Sequence, residues 1–238
     1  MLKLIKQLFP HTFKNSIKDH LGVPSLRWAL KNLKKAGYNP KVVYDIGAYE
    51  GYWTKEFLEV FPGTEVYMFE AQTKKESYLK KITDSNPNTH YSISLLGAMD
   101  GTAVQFVEDE TGSHVVQNDT EISEYKRKTT ALDKLSEDNK WPFPDFLKLD
   151  VQGFELEVLK GGIKALRAAE FCLLEVTLLD LGGGTPLLVE VVNYMQHHGF
   201  QAYDISQFIR RPYDKALWQI DMLFVKNNSR FITDKRWK

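Results

Sequence analysis

The chain has 238 residues, of which 43% are hydrophobic and 26% are charged, and its formal net charge at pH 7 is zero. These values are typical of a globular α/β domain, and they exclude binding to nucleic acid through overall basic charge. No apolar run approaches the roughly 20 residues that a membrane-spanning helix needs, and Met1–Phe9 lacks an uninterrupted apolar core, so we expect a cytoplasmic protein. The single cysteine, Cys172, lies in an apolar run and is expected to be a buried hydrophobic residue.

The first forty residues form a basic lead-in to the domain that we predict for residues 41–238. Residues 1–41 contain nine Lys or Arg and one acid. Ser25 is expected to cap a helix that runs to about Ala36, with Gly37 as its stop signal. The basic side chains are interpreted as a solvated helix face; weak contact with an anionic membrane surface and contact with nucleic acid are the alternatives.

From Lys41 onward, strands and helices alternate, which favours a mostly parallel, doubly wound sheet with helices on both faces. Strands are predicted at 41–46, 65–69, 90–96, 145–149 and 171–177, and helices at 52–60, 73–83, 154–168 and 185–198. Residues 102–132 are predicted to be an inserted hairpin region near the ligand mouth. The tail, at 199–205 and 218–225, is predicted to close the sheet edge as an antiparallel strand pair.

The run Val42–Gly51 has the pattern of a buried strand followed by a glycine turn and a helix, where α/β proteins bind nucleotide-like ligands. A dinucleotide-binding turn needs glycines at its first, third and sixth positions. Starting from Gly47, this chain has Tyr49 and Tyr52 at two of them, which disfavours a nicotinamide-dependent oxidoreductase. Asp45 is a poor neighbour for pyrophosphate but a good partner for an ammonium group. The turn therefore favours a sulfonium amino acid, S-adenosylmethionine.

Further acids follow the later strands. Glu70, at the end of the second strand, is placed to accept ribose hydroxyls, although it could instead favour the dipole of the next helix. Leu96 lies near the end of the third strand, which should face the adenine. Asp150 ends the fourth strand and should point toward the reactive methyl, where it could bind the cofactor or accept a hydroxyl proton; the alternative is a helix cap.

Two other residues are candidates for the catalytic group. Glu175 is an acid inside an apolar strand, and a buried acid is costly without a partner. His114 lies on the predicted insertion and could be a base. Pairs of His or Cys at metal-ligand spacing are missing, and two acids such as Asp150 and Glu175 are weak evidence for Mg²⁺, so no metal is expected.

Several segments together resemble the FkbM-type methyltransferases: Asp45–Gly51, Phe69–Glu70, Leu132–Asp133, Phe146–Gly161 and Asp221–Val225. The Leu-Lys-Leu-Asp-Val-x-Gly-x-Glu run is the most specific part. The resemblance implies a Rossmann-like class I methyltransferase fold, S-adenosylmethionine as the donor, and O-methylation of a hydroxyl on a saccharide or small natural product. The chain departs from the family pattern at Tyr49–Glu50 and at Gln152.

The sequence therefore predicts a methyltransferase with a small-molecule or saccharide acceptor. Amine and carboxylate acceptors, a cofactor-binding scaffold without turnover, and a nucleic-acid methyltransferase that uses the basic lead-in are the alternatives. The predicted catalytic residues are Asp150, Glu175 and His114. The predicted donor site comprises Asp45, Gly47, Ala48, Tyr49, Gly51, Glu70, Ala71, Leu96 and Asp150.

Overall fold

The structure is a computed structural model that describes residues 23–117 and 125–237. Most of the basic lead-in, residues 1–22, and part of the predicted insertion, residues 118–124, lie outside the described residues. The predictions made for those two segments therefore stay predictions. Among the described residues, no helix combines the length and the apolar character that crossing a membrane requires.

The elements of the described chain alternate as the sequence predicts. The helices are α1 (Leu26–Lys35), α2 (Tyr52–Val60), α3 (Glu76–Ser85), α4 (Leu132–Asp138), α5 (Glu155–Lys160), α6 (Ile163–Ala168) and α7 (Leu188–His197). The strands are β1 (Val42–Ile46), β2 (Glu65–Glu70), β3 (Thr89–Ile93), β4 (Ala103–Val107), β5 (His114–Val115), β6 (Lys126–Lys128), β7 (Phe146–Leu149), β8 (Phe171–Thr177), β9 (Phe200–Arg210) and β10 (Leu217–Lys226).

Seven strands form one sheet in the order β3-β2-β1-β7-β8-β10-β9. β3, β2, β1, β7 and β8 pair in parallel, whereas β10 runs antiparallel to both of its neighbours. The strand order reverses between β1 and β7, and the carboxyl ends of strands beside such a point form the ligand crevice of open α/β sheets. The predicted fold class, a Rossmann-like sheet with an antiparallel C-terminal strand pair, is confirmed.

The period-2 alternation of β1 divides the interior into two cores. Val42, Tyr44 and Ile46 pack on the face that α4 to α7 cover. Val43 packs on the opposite face, against α1, α2 and α3. Because successive side chains of a strand point to opposite faces, Asp45 lies on the same face as Val43. This residue is therefore an acid at the carboxyl end of a buried strand.

The structure differs from the sequence prediction in several elements. The third strand, predicted at 90–96, ends at Ile93, and the helix predicted from residue 73 begins with a 3₁₀ turn at Thr73–Lys75 before α3. The predicted helix 154–168 is two helices, because the chain breaks at Gly161–Gly162. A Cβ on Gly161 would lie 2.1 Å from the carbonyl oxygen of Gly97, so the break lets another backbone segment approach closely. The helix α4 was not predicted. The predicted hairpin region contains a three-stranded antiparallel sheet, in the order β5-β4-β6.

Candidate functional site

The loop after β1 turns at two glycines whose backbone conformation other residues rarely adopt. Gly47 and Gly51 have φ angles of +75° and +73°. A Cβ on Gly47 would lie 1.8 Å from the backbone oxygen of Asp150, and one on Gly51 would lie 2.1 Å from a side chain of α3. The N–H groups of Gly47 and Ala48 both donate to the carbonyl of Phe69. The turn is therefore fixed against the ends of β2 and β7.

Asp45 is fully buried beneath this turn and is not part of the cleft wall. Its Oδ2 accepts a hydrogen bond from Thr54 Oγ1 at 2.6 Å. Its Oδ1 lies 3.0 Å from Lys148 Nζ, in an ion pair of two buried side chains. Asp45 therefore has a hydroxyl and a cation of the protein as its partners, and its predicted role toward a ligand stays a prediction.

Lys148 ties the glycine turn to the neighbouring strand. Its Nζ donates to the carbonyl oxygens of Gly47 at 2.8 Å and Ile46 at 3.3 Å, in addition to the ion pair with Asp45. Burial alone would lower the pKa of Lys148, but the adjacent Asp45 and Asp150 outweigh that effect and raise it. Two hydrogen bonds to backbone carbonyls and one ion pair therefore let Lys148 hold the turn in place.

Glu70, at the end of β2, is buried beside the same turn. Its Oε2 accepts from the N–H of Tyr49 and its Oε1 from the N–H of Gln72, both at 2.7 Å. Burial raises the pKa of Glu70, and the two backbone hydrogen bonds oppose the increase. A carboxylate can accept about four hydrogen bonds, so each oxygen retains capacity for a ligand hydroxyl.

A cleft of about 540 Å³ opens at the carboxyl ends of the central strands. That volume is within the range of small-molecule sites, roughly 300–1,000 Å³. The structure brings most of the predicted site residues to this one cleft, whereas Asp45 and Gly51 lie behind its wall. The predicted residues that line it are Gly47, Ala48, Tyr49, Glu70, Ala71, Leu96, Asp150 and Glu175.

Asp150 and Glu175 lie in the part of the cleft formed by β7 and β8. The Asp150 side chain is 46% exposed and lies 3.8 Å from Lys148 Nζ, and its Oδ1 accepts from the Gln152 amide at 3.1 Å. Glu175 is directly opposite Asp221 on β10. Burial, together with Asp150, Glu155 and Asp221, raises the pKa of Glu175 to about 9, and the pKa of Asp221 rises to about 6 for similar reasons. Glu175 therefore holds a proton at neutral pH.

A third buried acid shapes the loop after β7. Glu155 Oε1 accepts from the N–H groups of Val151 at 2.9 Å and Gly153 at 3.2 Å. Burial raises its pKa to about 7 despite these hydrogen bonds. Glu155 is not part of the cleft wall. It orders the backbone that presents Asp150 and Gln152.

On the opposite side of the cleft, the insertion contacts the glycine turn through a cluster that we call the Glu110 clamp, formed by Tyr49, Glu50, Lys75 and Glu110. Glu110 Oε2 accepts from Tyr49 Oη and from Lys75 Nζ, both at 2.6 Å. Lys75 Nζ also lies 2.9 Å from Glu50 Oε1 and 3.9 Å from the centroid of the Tyr49 ring. Tyr49 and Glu50, which together form one of the two departures from the family pattern, thus connect the glycine turn to the insertion.

His114 and Cys172 lie away from the cleft wall. The His114 Nδ1 is 2.7 Å from the carbonyl oxygen of Gly112, and the residue pairs with Val107 in the small sheet. Cys172 is fully buried in β8, where burial raises the pKa of its thiol. Within the described residues, no group of three or more His, Cys, Asp and Glu side chains is arranged to hold a metal ion.

Sequence reasoning missed several residues that the structure brings to the cleft. Lys148 lies within a strand pattern where a lysine suggests exposure, and Glu110 is far from the glycine turn along the chain. Four more come from the C-terminal strands: Gln207, Ile209, Trp218 and Gln219. The sequence indicates only that two further strands, β9 and β10, follow β8. It does not define how these strands pair, so it does not show which of their residues reach the cleft.

The residues present fit a nucleoside joined to an amino acid. Glu70 supplies an acidic acceptor at the end of β2, next to a turn whose glycines let it pack closely against β7 and α3. Leu95, Leu96 and Phe106 supply an apolar wall on the same side of the cleft. Glu70 could accept hydrogen bonds from ribose hydroxyls, and the apolar wall could pack against a nucleobase. The rest of the cleft extends toward Asp150.

Comparison with known proteins gives one family. The model of the methyltransferase FkbM domain matches residues 45–202. The hexuronic acid methyltransferase AglP of Haloferax volcanii is 38% identical over 65 residues, which is 27% of this chain and 26% of that protein. About a quarter of the length of this curated relative is therefore matched.

Solved structures of methyltransferases are also similar. The methyltransferase FkbM from Methylobacillus flagellatus aligns with a TM-score of 0.49 and 18% identity, over 79% of this chain and 43% of that one. The precorrin-6y C5,15-methyltransferase from Geobacter metallireducens aligns with a TM-score of 0.48 and 13% identity, over 84% and 87% of the two chains. The chain thus spans less than half of the Methylobacillus protein.

Proposed function

Since this chain belongs to the FkbM methyltransferase family, we propose that it transfers a methyl group from S-adenosylmethionine to a hydroxyl oxygen on a saccharide or small natural product. The observation that carries the proposal is the cleft of about 540 Å³ at the carboxyl edge of the sheet, which is lined by Glu70 at the end of β2 and by Asp150 at the end of β7. The name of the curated relative, a hexuronic acid methyltransferase, supports a saccharide acceptor.

The donor half of the proposed site consists of the glycine turn and the end of β2. The Glu70 carboxylate binds the ribose hydroxyls, and the two N–H groups that it already accepts hold it in place. Asp45 acts through Lys148, which fixes the carbonyl of Gly47 and thereby the shape of the turn. S-adenosylmethionine supplies an electrophilic methyl carbon on a positively charged sulfur.

The acceptor half of the proposed site contains the base. S-adenosylmethionine, when bound, would give its methyl carbon to the acceptor oxygen and would keep the carbon–sulfur electron pair on sulfur. The Asp150 carboxylate would take the hydroxyl proton. The Gln152 amide, at 3.1 Å, orients that carboxylate. Holding oxygen and carbon in line contributes much of the rate, up to about 7–11 kcal/mol in model systems. Glu175 keeps its proton at neutral pH and hydrogen-bonds the acceptor as a donor.

The experiment is methyl transfer from labelled S-adenosylmethionine to a panel of hydroxylated glycosides. The Asp150→Asn variant is expected to lower kcat by about 100-fold or more while leaving donor affinity unchanged, because a general base acts in the transition state. The control is Asp84→Asn, which removes an exposed carboxylate on α3, and it should keep full activity. An unchanged kcat for Asp150→Asn would exclude Asp150 as the base.

A further inference from the structure

The wall of the cleft beyond Asp150 is formed by neighbouring strand ends. We call it the acceptor wall and define it as Asp150, Glu175, Gln207, Trp218 and Gln219, all of which line the cleft. Asp221 is opposite both Glu175 on β8 and Gln207 on β9, and Gln219 is opposite Thr177. These polar groups are therefore fixed relative to one another by the register of three strands.

Positive charge is scarce along this cleft. Among the described residues that line it, Lys148 is the single cation, and its N–H groups are directed to Asp45, Ile46 and Gly47. Acidic residues are more numerous: Glu70, Glu110, Asp150 and Glu175 line the cleft, and Asp221 lies behind the acceptor wall. Glu110 is paired with Lys74 and Lys75, and Glu175 holds a proton at neutral pH, so Glu70 and Asp150 carry the negative charge of the cleft.

This arrangement has a consequence for the charge of the acceptor. A carboxylate that leaves water needs a cation or several N–H donors, and like charges placed side by side cost several kcal/mol. The acceptor wall would set such a carboxylate beside Asp150 and Asp221. Hydroxyl groups, in contrast, both donate and accept, so they suit the amides of Gln207 and Gln219 and the carboxyl groups. Trp218 adds apolar surface for the carbon face of a ring.

We propose that the acceptor is an uncharged glycoside, and that the acceptor wall discriminates against saccharides that carry a carboxylate. The proposal rests on the methyltransferase function proposed above. It separates this chain from the curated relative, whose name gives hexuronic acid as its substrate. Burial is the largest cause of the raised pKa of Glu175, and Asp150, Glu155 and Asp221 add to it. Of these acids, Asp150 and Asp221 are the ones that an anion at the acceptor wall would meet.

The test compares acceptors that differ only in charge. Methyl glucoside, galactoside and mannoside are each paired with the corresponding methyl uronide, and kcat/KM for labelled methyl transfer is measured. At least one neutral glycoside should be methylated, with kcat/KM at least about tenfold above that of its uronide partner. Added salt should narrow the gap, because it screens the repulsion. Equal or faster transfer to the uronides, or transfer to none of the neutral glycosides, would overturn the proposal.

A charge substitution on the acceptor wall strengthens the test. Gln207 is exposed at the rim, so Gln207→Lys should place a cation there without unfolding the sheet. It should raise relative transfer to the uronides, whereas Gln201→Lys, at the other end of β9 and away from the cleft, should not. Binding of S-adenosylhomocysteine is measured in parallel. If S-adenosylhomocysteine binds but the uronides are preferred as acceptors, only this inference fails. If S-adenosylhomocysteine does not bind, the proposed function fails too.

Discussion

Gly47 lies where the chain leaves β1, next to the end of β7. Its φ is +75°, and a Cβ at this position would lie 1.8 Å from the Asp150 carbonyl oxygen, which gives two separate reasons for glycine. Gly101 has nearly the same φ, +76°, but nothing lies within 4 Å of its Cβ position. Comparing substitutions at Gly47 and Gly101 therefore separates the cost of backbone strain from the cost of a steric collision.

We expect Gly47→Ala to destabilise the fold more than Gly101→Ala. Both variants incur the strain of a left-handed backbone, about 1–2 kcal/mol, whereas Gly47→Ala adds the displacement of the β7 end, typically about 1–3 kcal/mol. The measurement is the free energy of unfolding in urea. If both variants lost the same free energy of unfolding, the end of β7 would be shown to move aside without cost.

Glu155 makes stability depend on pH. Its pKa is raised from 4.5 to about 7 in the native state, so the folded protein binds this proton more tightly than the unfolded chain does. The resulting stabilisation is complete below pH 4.5 and is lost as the pH rises through 7. As the pH rises from 4.5 to 8, the free energy of unfolding of Glu155→Gln should therefore increase relative to that of wild type by up to roughly 3 kcal/mol. The measurement is the free energy of unfolding of both proteins at several pH values. If the difference between them stayed constant from pH 4.5 to 8, a raised pKa for Glu155 would be excluded.

At the residue scale, the sequence predicts the acids at strand ends well, because the topology of parallel strands sends Glu70, Asp150 and Glu175 to one edge. Their roles remain proposals. The sequence does not predict that Asp45 faces Lys148, because that contact depends on the register between β1 and β7. The register also decides that Asp221 opposes Glu175.

At the scale of elements, the Glu110 clamp joins the insertion to the glycine turn. Lys75 is the central residue, with a side chain that is only 6% exposed and ion pairs to both Glu50 and Glu110. Lys74, its neighbour, is 41% exposed and lies 3.3 Å from the same Glu110. Removing the charge of Lys75 leaves two carboxylates without their shared partner, whereas Lys74 contributes a peripheral contact.

We therefore expect Lys75→Met to lower Tm by several degrees and to speed dissociation of S-adenosylhomocysteine, because the insertion would no longer hold the glycine turn in place. Exposed ion pairs contribute little, so Lys74→Met should change neither quantity measurably. Calorimetry and stopped-flow dissociation provide the two readouts. Similar effects of the two substitutions would mean that the clamp does not connect the insertion to the turn.

The sequence predicts the elements of the sheet more accurately than those around it. Strand β8 and helix α2 have the predicted bounds, because each follows one clear hydrophobic period. The break at Gly161–Gly162 depends on the backbone around Gly97, a segment distant along the chain, which periodicity does not reveal. The pairing of β4 with β5 and β6 likewise depends on contacts between distant residues.

At the scale of the whole molecule, the resemblance found in the sequence is confirmed by the family match over residues 45–202. The division at residue 40 remains a prediction. Leu30 and Leu33 of α1 pack in the same core as Val43 of β1, so we propose that residues from Leu26 onward fold with the domain. The one arrangement on which the function depends is the meeting of β1, β2 and β7 ends around a single cleft.

The most direct test of that arrangement is the affinity of the purified protein for S-adenosylhomocysteine, measured by calorimetry for wild type, Glu70→Gln and Glu65→Gln. Both glutamates belong to β2, but Glu65 lies at the end opposite the cleft. We predict binding by wild type and Glu65→Gln, and a loss of about tenfold or more for Glu70→Gln, because a hydrogen bond to a charged acceptor contributes about 1.5–3 kcal/mol. Absence of binding by wild type, or equal affinity in all three proteins, would contradict the assignment of the donor site.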